Sequence, residues 1–203
     1  MDLKTRGVVL KRIPYTDNSI VVQIFTQHAG LVPFLVRGLQ KNKSKNAYYQ
    51  LGQFVEIVFK PKDGGGLCHI KEISIPPDLI SPPDFSANSI YIQQIRFFYI
   101  ELLSLCINNE AAHDEDLFIV IQISFQKLHQ AKQLANLPLE FIRDLCQVLG
   151  YALPEELLDI PREKIHRDER RYRLNRMIDH LKSLAFPEKS LKSLYIIDEL
   201  NDN

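Results

Sequence analysis

The sequence predicts an α+β protein: a five-stranded antiparallel barrel at the front and an all-helical domain behind it. Three observations carry that prediction. Five short runs rich in β-branched and aromatic residues fill roughly the first 75 positions, a Pro-rich segment follows, and beyond it apolar residues recur with helical spacing. Charge divides at the same place. The first 76 residues carry eleven Lys/Arg against five Asp/Glu, a net of +6, and the remaining 127 carry fourteen against twenty, a net of −6. The formal charge of zero for the whole chain conceals a cationic front and an anionic back. Such a division points to a polyanionic partner for the front module.

The five predicted strands are Val8-Val9-Leu10, Ile20 to Phe25, Leu31 to Val36, Phe54 to Phe59 and Leu67 to Ile73. Turn chemistry separates them at Pro14-Tyr15-Thr16-Asp17-Asn18, His28-Ala29-Gly30 and Asp63-Gly64-Gly65-Gly66. The third strand is different, since residues 39 to 52 intervene before the fourth. Five short strands with a longer excursion after the third suit an OB-fold barrel. Pro33 removes one ladder donor, which favours an edge or a bulge there. The segment Pro76-Pro77-Asp78-Leu79-Ile80-Ser81-Pro82-Pro83 continues neither strand nor helix. It divides residues 1–76, the module expected to bind a polyanion such as nucleic acid, from residues 85–203, with a stiff linker at 77–84.

Behind the linker, Ile95, Phe98, Leu102 and Leu105 form a helical stripe running to about Ile107. Leu117, Ile121, Phe125 and Leu128 repeat it, with Asp114, Glu115 and Asp116 placing negative charge at the favoured end. Pro138 opens a third helix through Leu149, and Gly150 occupies a C-cap position. Two more helices are expected over Arg170 to Ala185 and from Pro187 through Leu200.

Composition excludes several classes. A hydrophobic content of 45% argues against disorder, and no apolar run approaches the roughly 20 residues of a membrane span. The amino-terminal residues show no signal-peptide pattern, and Cys68, Cys106 and Cys146 make no Cys-x-x-Cys pair, so a cytoplasmic protein is expected. The six histidines show no metal-ligand spacing, the Gly64-Gly65-Gly66 tip lacks a phosphate-loop ending, and no nucleophile elbow appears. A protein without cofactor, metal or catalytic activity is expected.

Arg37-Gly38-Leu39-Gln40-Lys41-Asn42-Lys43-Ser44-Lys45 is the segment where nucleic acid is expected, because Lys and Arg displace counterions condensed on phosphates. Adjacent rings stack bases irrespective of sequence. Tyr48 and Tyr49, if extended, point to opposite faces, so one stacks and the other packs inward; Tyr49 is the candidate. The predicted interface is Lys11, Arg12, Arg37, Lys41, Lys43, Lys45, Tyr49, Lys60 and Lys62. Arg162 to Arg173 mixes both signs densely, which suits a salt-bridged face, a second DNA contact or a dock for an acidic peptide.

The order of Gly7-Val8-Val9-Leu10-Lys11, Tyr15-Thr16-Asp17, Phe25-Thr26-Gln27-His28-Ala29-Gly30, Val36-Arg37-Gly38 and Lys43-Ser44-Lys45 resembles the N-terminal domain of the bacterial RecO family. Looser likeness continues through Phe141 to Tyr151 and in Leu191-Lys192-Ser193-Leu194. This resemblance implies an OB-fold followed by a helical domain, binding to single- and double-stranded DNA, and strand annealing. It also implies work with RecR to load the recombinase RecA onto strands coated by single-stranded-DNA-binding protein, in the cytoplasm at the nucleoid. Many relatives carry four zinc-binding cysteines after the helix ending here at Gly150; residues 152 to 173 hold none. From the residues alone, an RNA-binding or translation-associated module and a protein-interaction adaptor stay open, since an OB barrel with a basic loop reads neither sugar by default.

Overall fold

The computed structural model describes residues 1–38, 43–62, 66–79, 89–107, 114–131, 133–161, 163, 165–194 and 197. It contains two compact units: Met1–Pro82 with Ile107–Phe118, and Pro83–Cys106 with Ile119–Asn203.

The first unit is built on strands β1 (Leu3–Thr16), β2 (Ser19–Thr26), β3 (Gly30–Arg37), β4 (Phe54–Phe59) and β5 (Ile70–Ser74). They form one antiparallel sheet in the order β3-β2-β1-β4-β5. The sheet does not close through a continuous ladder. Its two edges meet at one parallel bridge between Phe34 and Cys68, where Leu35 N–H donates to the Cys68 carbonyl at 3.0 Å and Cys68 N–H donates to that of Pro33 at 2.9 Å. Pro33 therefore sits on an edge strand, the position that its missing donor favours. This is the strand arrangement expected for the OB-fold half of the α+β chain.

β1 is much longer than the three-residue run legible in sequence. Leu3 to Val8 pairs with β4 and Gly7 onward with β2, so Gly7 and Val8 have both neighbours, while Lys11 to Thr16 pairs with β2 alone and carries the hairpin past the end of β4. The expected five-residue turn shrinks to Asp17-Asn18. Alternating hydrophobicity is lost along this half because Lys11, Arg12 and Pro14 interrupt it, so local pattern undercounts the strand.

Even-numbered residues of β2 and β3 face the core, where Val22, Ile24, Phe34 and Val36 pack with Val9, Val55, Ile57 and Phe59. Phe34 meets Phe59 edge to face, with centroids 4.9 Å apart. On the other side of the sheet, Phe25 and Phe54 hold Phe118 at 6.4 and 6.3 Å. Gly7 lies where β1 is sandwiched between its neighbours, and a Cβ there would fall 2.5 Å from Ile24 Cγ2 and 3.1 Å from the Phe25 carbonyl oxygen. Ile24 is β-branched and fully buried, so it has little room to move. Gly7→Ala is therefore expected to cost about 1–3 kcal/mol, read as a lower urea midpoint; an unchanged midpoint would refute the close approach.

The second unit is helical, consistent with the expected class. It draws on α1 (Ser89–Cys106), α2 (Glu115–Gln130), α3 (Leu137–Val148), α4 (Glu155–Leu158) and α5 (Arg167–Ala185). The first turn of α2 falls in the first unit, and Asp114 caps it by accepting from Leu117 N–H at 2.9 Å. Tyr99 anchors the helical core. Its ring stacks on Phe141 with centroids 3.8 Å apart, and its hydroxyl donates to the Leu137 carbonyl at 2.9 Å. Burial, reinforced by Glu140 and Asp144, raises the Tyr99 pKa well above the ordinary phenol range, so the hydroxyl stays a donor. α3 ends as expected. Gly150 takes φ +74°, and the N–H groups of Gly150 and Tyr151 return to the carbonyls of Gln147 and Cys146.

Two helix boundaries are corrected. α5 begins at Arg167 rather than Arg170, and residues 187 to 193 form turns instead of opening a helix at Pro187. Among the described residues of that segment, Leu194 and Ile197 are helical; residues 195, 196 and 198–200 lie outside the described residues. Burial pushes the Cys106 thiol up to about 12 and that of Cys146 up to about 11, which keeps both protonated and inert. No helix of the described residues is long and apolar enough to cross a membrane.

Candidate nucleic-acid interface

The sheet's register sorts the predicted basic residues into two groups. Lys11 aligns with Gln23 and Pro33, while Arg12 aligns with Val22 and Phe34. Arg37 ends β3 opposite Ser19, whose other partner is Thr16 beside the hairpin turn. Gly38, at φ +74°, lets the chain leave β3 and donate its N–H to the Asn18 carbonyl at 3.0 Å. Arg37 is thereby fixed against the hairpin and remains exposed. Arg12 donates to Asn46 Oδ1 at 2.8 Å, a contact with a neutral amide that leaves the guanidinium charge uncancelled. Asn46 sits in the 3-10 helix Lys43–Tyr49, so this bond ties the basic segment to the same end of the sheet.

Lys60 and Lys62 belong elsewhere. They follow Phe59, which pairs with Leu3, and Leu3 lies eight residues before Lys11 on β1. At about 3.3 Å per residue, that is roughly 25 Å along the strand. Lys62 also donates to the Leu67 carbonyl. Near this end, three basic side chains are occupied by carboxylates: Lys4 by Glu56 at 2.8 Å, Arg6 by both oxygens of Asp78, and Lys71 by Asp2 at 2.8 Å. Lys71 in turn holds the Asp2 carboxyl below its usual pKa. At the end carrying Lys11, Arg12 and Arg37, these cations and Lys45 outnumber Asp17, the acid of the hairpin turn, among the described residues. Lys45 is exposed in the 3-10 helix, whereas Lys41 and the side chain of Lys43 lie outside the described residues.

Tyr49 is corrected. The chain coils into the 3-10 helix instead of extending, so Tyr48 and Tyr49 do not face opposite ways as strand neighbours would. Tyr49 is only 5% exposed and packs in the core of the sheet, where burial raises its pKa; it offers no face to a base. Among the described Phe and Tyr residues of this unit, the exposed ring belongs to Tyr15, at 60%. It fell within the expected turn, and its signal in sequence was weak: one aromatic amid turn-forming residues.

In the mixed-charge stretch, Arg173 pairs with Glu169 at 3.0 Å and donates to the Asp159 carbonyl; beyond that stretch, Arg176 reaches Glu156 at 3.3 Å. These contacts fit a salt-bridged face, of which such exposed pairs stabilise little.

Residues 1–76 match the family described as "Recombination protein O N terminal". Similarity extends beyond that segment to proteins named DNA repair protein RecO. The relative from Christiangramia forsetii is 26% identical over 164 residues, covering 79% of this chain and 66% of the relative. That from Bacteroides fragilis is 29% identical over 72% of this chain and 60% of the relative. That from Azobacteroides pseudotrichonymphae is 30% identical over 73% of the chain and 61% of the relative. The matched region thus spans about two thirds of the relatives' length or less.

Proposed function

We propose that this chain, which resembles the DNA repair protein RecO over about three quarters of its length, acts in DNA repair and recombination by holding DNA through the hairpin end of its sheet. The observation that carries the reading is the segregation of charge: Lys11, Arg12 and Arg37 gather with the 3-10 helix at one end, while carboxylates occupy Lys4, Arg6 and Lys71 away from it. Neutralising phosphates serves both single and double strands, and it lets two complementary strands approach each other, which is annealing. Recombinase loading on coated strands, together with RecR and single-stranded-DNA-binding protein, falls to the chain as a whole, whose helical unit supplies further surface. The chain works without metal or covalent chemistry.

The test is annealing of complementary oligonucleotides with the full chain across a salt series. Acceleration that fades as salt rises is expected, because each phosphate contact releases counterions. Changing Lys60 and Lys62 together to Ala is expected to leave the rate close to that of wild type. Failure to accelerate annealing at low salt, or tighter binding to RNA than to DNA of the same sequence, would overturn the DNA reading.

A further inference from the structure

We infer that Tyr15 is a stacking platform for an unpaired nucleic-acid base, seated at the hairpin tip beside Arg37. This rests on the DNA reading above and adds to it the means of telling single strands from duplex. Five observations converge on the ring. Every other described Phe or Tyr ring of the first unit is buried, apart from half-buried Tyr48, whereas Tyr15 is 60% exposed; the exposed imidazoles of His28 and His69 are smaller rings. Neighbouring Ile13 is also exposed, at 45%, which places an apolar flank next to the ring.

The backbone offers the ring outward. The register between β1 and β2 shifts between Pro14 and Thr16, so Tyr15 is the residue left without a cross-strand partner. The tip itself is held on two sides: the Thr16 and Ser19 hydroxyls hydrogen-bond at 2.5 Å, and Gly38 N–H donates to the Asn18 carbonyl. A ring on a fixed tip loses little freedom when a base settles on it.

Charge completes the site. Thr16, Ser19 and Arg37 form one row across three strands, so Tyr15 and Arg37 stand about two strand spacings apart, roughly 10 Å. A short run of nucleotides bridges that gap, with a base on the phenol ring and a phosphate at the guanidinium. Lys11 lies four residues before Tyr15 on β1 and adds a further cation along that strand. Stacking requires a free base face, so this contact is open to single strands and closed to bases within a duplex.

The experiment compares Tyr15→Ala, Tyr15→Phe and Arg37→Ala in the full chain, binding labelled oligothymidylate and a mixed-sequence duplex at several salt concentrations. Tyr15→Ala is expected to weaken oligothymidylate binding about 5- to 150-fold, with an unchanged salt slope, while duplex affinity stays within about twofold. Tyr15→Phe keeps the ring and is expected to bind like wild type. Since the chain has no tryptophan, Tyr15→Trp supplies a lone reporter whose fluorescence should be quenched by the single strand. Wild-type binding by Tyr15→Ala overturns the inference, as does an equal loss for both ligands. If Tyr15→Ala has no effect while Arg37→Ala flattens the salt slope, stacking fails and the DNA reading survives. If the wild-type chain binds neither ligand, both fall together.

Discussion

With Lys11, Arg12 and Arg37 changed together to Ala, affinity for single-stranded DNA is expected to fall about 100-fold at about 0.1 M salt, and the log–log salt slope to flatten by about 2. The magnitude follows from counterion release. Each phosphate contact on a single strand contributes about 0.7 to the slope, so three contacts give about two decades between 1 M and 0.1 M salt. The side chains qualify because they lie within a few strand rows of one another and none is an internal prop of the sheet core. Arg12 has a second duty, its hydrogen bond to Asn46, so the double change of Lys11 and Arg37 separates charge from structure. That pair alone should remove about 1.4 from the slope. A triple variant with the wild-type slope would remove the hairpin end from the interface, whatever its effect on absolute affinity.

Phe34→Ala is expected to be the most damaging single change in the first unit, costing about 3–5 kcal/mol against a typical domain stability of about 5–15 kcal/mol. The ring is fully buried, meets Phe59 edge to face, and belongs to the residue that bridges to Cys68 where the sheet edges join. Removing it leaves a cavity between strands whose other side chains are β-branched or aromatic and collapse poorly. The same strand ends in Arg37, so the loss should also appear as weaker DNA binding near the new urea midpoint. Ile13→Ala, at an exposed position, serves as the comparison and should stay within about 1 kcal/mol of wild type. A Phe34→Ala midpoint equal to that of Ile13→Ala would mean that the packing described around Phe59 does not govern stability.

Much of the molecule is legible in the sequence. Five strand-like runs, the long excursion after the third, and the change of period behind the Pro-rich segment announced a barrel-like sheet followed by helices. The end of α3 was legible too, because a glycine closing a helix is a local requirement on φ that few other residues meet. The helix at α4 was missed: four residues give too short a stretch for any periodicity to register. Tyr49 was misplaced for a related reason, since its surroundings depend on whether residues 43 to 49 extend or coil.

By itself the sequence determined the period of each element, the charge of each half and the kinds of side chain available for binding, since these are properties of near neighbours along the chain. Tertiary structure alone decided which cations gather at one end of the sheet. Pairing β1 with both β2 and β4 carries Lys60 to one end and Lys11, Arg12 and Arg37 to the other, although all belong to one positively charged half. It also turned Tyr49 inward and left Tyr15 at the tip, and it placed Phe118 against Phe25 and Phe54. The physical reason is that strand register and core packing join residues far apart in the chain, and no local pattern encodes a contact whose partner is about a hundred positions away.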